Sequence, residues 1–155
     1  MVSSVSLFGD LTLWARDVIS GAIADPLSNR QQQSGDPGSN ARFVMTSWPS
    51  RPSVYPFITV SHITTNDTNL GMQTEDSISK NVLQVDVWTK QVSQRDGFAG
   101  SVAWAIRNTQ LGSNGGLASG LYDIRLISAR NLDEPGKGGL HRKSLDFEIS
   151  FINTT

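Results

Sequence analysis

The chain is expected to fold as an α+β protein: a single antiparallel or mixed β-sheet with two helices packed on one face, in the order α-β-β-α-β-β, plus long extended loops. Three observations lead there. Leu83-Gln84-Val85-Asp86-Val87-Trp88 alternates with the two-residue period of a half-buried strand and runs almost directly into the amphipathic stretch Ser93 to Asn108. Two further alternating runs follow, Tyr122 to Asn131 and Lys143 to Asn153. At the other end of the chain, Leu7 to Ala24 repeats its apolar residues at helical spacing.

In the first helix, Leu7, Leu11, Trp14, Ala15, Val18 and Ala22 form one stripe, with Arg16 and Asp17 on another side. Pro26 stops it, because the residue before a proline is pushed out of the helical region. Residues 29–53 then change character. Gln31 to Asn40 has no period and almost no apolar residue, which is the composition of a long loop. Phe43-Val44-Met45 and Trp48 follow, among Arg42, Arg51 and prolines 49, 52 and 56. That mixture reads as an extended arm.

Tyr55-Pro56 leads into a strand from Phe57 to Ile63, and a polar, turn-rich linker is expected over 64–76. The strand Ile78 to Lys90 comes next. Asn81, Leu83, Val85, Val87 and Thr89 share its core face; Lys80, Gln84, Asp86 and Trp88 share the other. Ser93 followed by Asp96 has the form of a capping box that opens the second helix. Phe98, Val102, Ala105 and Ile106 form its buried stripe, and Trp104 points nearly opposite. A glycine- and serine-rich connection, Gly112 to Gly120, precedes the last strand pair. Leu145, Phe147, Ile149 and Phe151 alternate most cleanly of all, and burying them contributes on the order of 6–12 kcal/mol of gross transfer energy. Asp133 to Gly139 is a turn by composition, which makes the two strands a long antiparallel hairpin.

A chain of 155 residues fits one domain, 1–155, large enough to fold without staples. It has 0 cysteines, so disulfides and thiolate metal sites are excluded. A net charge of -1 argues against a protein whose main business is gripping phosphates or anionic lipid. No apolar run approaches the roughly 20 residues of a membrane span, and no basic patch precedes an apolar core at the N-terminus. The expectation is a cytoplasmic product, or one that joins a larger particle there.

No catalytic set is expected. The two histidines, His62 and His141, have no ligand spacing between them, and a hydrogen-bonded strand residue is the stronger reading of His62. Gly136-Lys137-Gly138-Gly139 lies between strands with no Ser or Thr after the lysine, so it reads as a hairpin turn rather than a phosphate cradle. No nucleophile elbow is present. The pairs Asp133 with Glu134 and Glu75 with Asp76 sit in loops, where carboxylates stay solvated. No cofactor and no metal are expected. One surface signal stands out. Arg42, Phe43, Trp48, Arg51 and Tyr55 of the arm, with Trp88 and Trp104, form a set of subunit-interface candidates, because Trp, Tyr and Arg dominate binding hot spots. The competing reading, weighed equally, is that the arm folds back and helps close its own sheet.

Tyr55-Pro56-Phe57-Ile58 enters the first long strand; Val85-Asp86-Val87-Trp88 ends the next. The following helix carries the rhythm Ala99, Val102, Ala103, Ile106, and Ala129-Arg130 through Asp133 leads to the last amphipathic strand. This ordered set, over most of Leu7 to Ile152, resembles the tail-terminator, or tail-completion, proteins of long-tailed bacteriophages, which join head to tail. The segment 29–53 departs from the pattern. The resemblance implies a small α+β virion subunit, assembled in the host cytoplasm, that forms a ring, usually hexameric, on the end of the tail tube. Such a ring stops tube growth and offers the joining surface for the head connector. It implies no enzymatic activity, no cofactor, and DNA passing through the lumen without sequence-specific binding. Loops 29–53, 64–76 and 112–120 are the candidate reaching parts of such a subunit. Three alternatives stand beside it: another neck protein such as a head-completion or connector subunit; a monomeric ligand-binding or enzymatic α+β domain, which requires a deep pocket; and a nucleic-acid-binding module, which the charge balance disfavours.

Overall fold

The central strands carry the core on the face that alternation predicts, while the stretch from Val85 to Thr89 is buried on both faces. The computed structural model describes residues 4–27, 42–46, 54–71, 77–108, 121–133 and 139–153. Helices α1 (Ser4–Ala22) and α2 (Val92–Asn108) accompany strands β1 (Val44–Met45), β2 (Phe57–Asn69), β3 (Ser77–Thr89), β4 (Leu121–Asn131) and β5 (His141–Asn153). The strands form one mixed sheet in the order β1-β2-β3-β5-β4. Every neighbouring pair is antiparallel except β1 with β2. The α+β class with one sheet and two helices is therefore the architecture of the chain, and β1 is an edge strand that periodicity does not reveal.

One apolar cluster joins both helices to one face of the sheet: Leu11, Trp14, Ala15 and Ile19 from α1, Ala99, Val102 and Ile106 from α2, Ile58 and Val60 from β2, Leu83, Val85 and Val87 from β3, and Leu145, Phe147 and Ile149 from β5. The expected stripe of α1 needs adjustment. Ala22 is exposed, whereas Ile19 and Ile23 are buried, because the row Leu11-Ala15-Ile19-Ile23 continues the core contact round the helix. The helix ends at Ala22, before the expected Ala24, and the amide of Ile23 closes the last turn on the carbonyl of Ile19 at 2.9 Å.

Two expectations are corrected by tertiary context. The linker expected over 64–76 is strand through Asn69, paired residue by residue with β3 from Thr64 against Val82 to Asn69 against Ser77; residues 72–76 lie outside the described residues. Its side chains are polar because this half of β2 is mostly exposed, not because the backbone turns. The capping box is likewise not formed. α2 starts at Val92, and the carbonyl of Gln91 accepts both the Arg95 amide at 3.0 Å and the Thr89 hydroxyl at 2.8 Å. Ser93 falls inside the first turn, and the Asp96 carboxylate is occupied by ion pairs instead.

The polar residue that periodicity places on the core face, Asn81, is fully buried and satisfied. Its side-chain amide donates to the carbonyl of Ile149 at 3.3 Å, and its oxygen accepts from the Thr65 hydroxyl at 2.6 Å. With that proton committed to Asn81, the Thr65 oxygen accepts from Nε2 of His62 at 2.9 Å, so His62 is a hydrogen-bonded strand residue as expected. The β4–β5 hairpin is also as expected. Gly139, at φ 76°, takes the left-handed conformation that favours glycine next to the start of β5. The turn residues 134–138 and the connection 112–120 lie outside the described residues.

Candidate assembly surface

The sequence-predicted interface residues separate into enclosed and open ones. Phe43 is buried, edge-on against Phe98 of α2 at 5.4 Å and 65°, and its carbonyl accepts the amide of Ile58 at 2.7 Å. Trp88 is only 7% exposed. It stacks on Phe57 at 6.1 Å, lies under the Arg142 guanidinium at 4.6 Å and donates from Nε1 to the Thr59 hydroxyl at 3.3 Å. Tyr55 is half-buried beside Phe57 at 5.2 Å, with the Lys90 ammonium 5.5 Å from its ring. The exposure expected of Phe43 and Trp88 is therefore corrected. Where the arm is described, it folds back: Val44 and Met45 pair with Ile58 and Thr59, and Met45 and Tyr55 pack on the Phe57–Trp88–Leu140 cluster. Arg42 is exposed, and Trp48 and Arg51 lie outside the described residues.

The helix-free face of the sheet is a lattice of matched charges. Arg142 pairs with Asp86 at 3.1 Å, Arg130 with Asp146 at 3.6 Å, and Arg125 with both Glu148 and Asp123 at 3.2 Å. Cross-strand pairs of this kind fix register and leave little net field.

A second polar cluster clips the start of α2 to the β4–β5 hairpin. The Arg95 side chain is buried, and its Nη1 donates to both oxygens of Asp133 at 2.8 and 2.7 Å. Nε and Nη2 donate to Asp96 at 3.0 and 3.3 Å, and Lys143 reaches the same carboxylate at 3.3 Å. The backbone amide of Arg142 also donates to Asp133 at 3.2 Å, and His141 Nδ1 lies 3.2 Å from it. The hydrogen bonds from Arg95 hold the carboxyls of Asp96 and Asp133 below the usual carboxylate range, and those to Asp96 and then Asp133 raise the guanidinium in turn.

Trp104 is the open one, 65% exposed on the outer side of α2. It borders a shallow groove of about 400 Å³, lined by Ala22 of α1 and by Asp96, Gly97, Gly100, Ser101 and Trp104 of α2. Gly97, Gly100, Ser101 and Trp104 recur at i, i+3, i+4 and i+7, so they form a single stripe opposite Val102 and Ile106. Sequence reasoning singled out Trp104 and missed this stripe, although its spacing was visible. The Arg95–Asp133 pairing had no such signal, since it depends on the hairpin returning past the helix. Among the described residues, no group of three or more His, Asp or Glu side chains converges to hold a metal ion.

No family model matches the chain, and no curated protein matches it in sequence. Among solved structures, it is similar to a chain described as "Virion of native gene transfer agent (GTA) particle". The TM-score is 0.52 and the identity 17%, and the match covers 89% of this chain and 94% of that chain. At that identity the likeness is one of fold, and it extends over nearly the whole of both chains.

Proposed function

We propose that this chain is a structural protein of a phage-like virion, and within it the tail terminator: a subunit of a ring, six copies in the family it resembles, at the head-proximal end of the tail tube. The ring ends tube polymerisation and joins the tail to the head connector. It performs no catalysis and needs no cofactor. The observation that carries this reading is the fold likeness, end to end, to a chain of the gene transfer agent virion. Two features of the chain support it. A ring subunit needs two different complementary patches, since head-to-tail contacts that close make a ring; Trp104 and its groove supply one outward-facing patch that the described residues leave open. The paired charges on the helix-free face suit a surface past which DNA moves without being gripped, because it is unmatched Lys and Arg that hold phosphates.

The test is electron microscopy of the purified protein, alone and mixed with tail tubes. The expected image is a six-fold ring seated on one end of each tube, with tube length fixed once the ring is added. Bare tube ends that keep growing in the presence of excess protein would overturn the proposal.

A further inference from the structure

The groove beside Trp104 has the chemistry to take an extended, proline-rich, basic segment, and the chain contains one. We propose that Trp48-Pro49-Ser50-Arg51-Pro52 of one copy docks in the α2 groove of the next copy; this rests on the ring reading above. Three features argue for the match.

The first is shape. Gly97 and Gly100 bare the helix backbone along the groove floor, and a Cβ built on either meets nothing within 4 Å. The protomer's own packing therefore gives no reason for two glycines inside a helix, whereas a backbone that must lie close to the helix does. The second is the docking mode. Proline-rich segments adopt the polyproline conformation without folding cost and bind aromatic-lined grooves. In the sequence, Pro49 and Pro52 stand three residues apart, the repeat of that conformation. One turn of a polyproline helix rises about 9 Å, close to the roughly 10 Å rise from Gly97 to Trp104 along α2. The third is charge. Asp96 is the one ionisable residue lining the groove and stays about half-exposed beyond its pairs with Arg95 and Lys143. The chain has no acid between Asp36 and Asp67, so the docking segment brings Arg51 and no opposing carboxylate.

A neighbouring copy is the source because the segment's own reach is short. It leaves from Thr46, just past the Met45–Thr59 pair, and returns at Val54, just before β2. An excursion out and back over so few residues spans at most roughly 12 Å, and the groove opens on the side of α2 opposite Val102 and Ile106, which pack in the core.

The natural absence of cysteine makes a clean test. Full-length chains carrying Ser50→Cys or Ser101→Cys are mixed, oxidised gently, and followed by non-reducing electrophoresis and by native mass. The expected result is a disulfide-linked dimer that appears in the mixture, at ring-sized mass, and falls about tenfold or more when Trp104→Ala is added. Ring-sized mass without the dimer overturns the docking and leaves the ring. A dimer without ring-sized mass keeps the docking and removes the ring. Neither species overturns both. A Ser50→Cys/Ser101→Cys double variant that closes within one chain at high dilution overturns the assignment to a neighbour. Thermal melts of each variant matching the parent separate these outcomes from failure to fold.

Discussion

Trp88 and Trp104 carry the same indole on adjacent elements, and the protomer treats them oppositely. Trp88 ends β3 on the helix-free face, where no helix shelters it, yet it is enclosed by Phe57, Leu140, Met45 and the Arg142 guanidinium. Trp104 lies on a helix whose other side builds the core, and the chain sends nothing described to cover it. The difference separates stability from recognition. Each aromatic on a polar face poses one question, namely which other part of the same chain reaches it, and among the described residues the arm answers for Trp88 alone.

That comparison is broken most sharply by truncation. Trp88→Ala is expected to cost about 3–5 kcal/mol, the range for removing a large enclosed aromatic, read as a fall in the denaturant midpoint. Trp104→Ala is expected to shift stability by less than about 0.5 kcal/mol, as exposed substitutions do, while abolishing ring-sized mass in solution. Equal losses of stability from the two substitutions would show that the helix face is part of the protomer's own packing.

A smaller effect comes from the Arg95 clip. Asp96 and Asp133 have folded pKa values depressed chiefly by hydrogen bonds from Arg95. A depressed carboxyl contributes stability that is complete above its unfolded pKa of about 3.9 and is lost as the pH falls through the lower folded value. The melting temperature is therefore expected to hold near neutral pH and to drop below about pH 4. Asp133→Asn should lower the neutral-pH value and flatten the acid limb. An acid limb of unchanged depth in that variant would mean that other carboxylates set it.

The sheet's interior face was legible because alternation is a local property: Leu83, Val85 and Val87, and Leu145, Phe147, Ile149 and Phe151, are all buried as their period predicts. The second half of β2 was not legible. Thr64 to Asn69 has the composition of a turn, and only pairing with β3 makes it strand. The cover over Trp88 and Phe43 was not legible for the same kind of reason, since whether an aromatic is covered depends on where residues distant in sequence return. Trp104 and the groove were half legible. Helical spacing gave the exposed side, but the end of α1 at Ala22 had to be placed before the groove had a second wall.

The smallest change gives the sharpest reading of the helix face, because it moves two quantities in opposite directions. Gly100→Ala adds a methyl group into open space on α2. A glycine in a helix interior is less favourable than alanine by roughly 0.5–1 kcal/mol, so the variant is expected to be more stable by about that amount. If the bare backbone at Gly97 and Gly100 exists for close approach by a neighbour, the same methyl group should weaken assembly, visible as a higher protein concentration at the midpoint of ring formation. A glycine kept only by drift would give the stability gain with no such shift. Measuring thermal melts and native mass on one preparation decides between them, since the protomer's own packing accounts for the first response and only a partner on α2 accounts for the second.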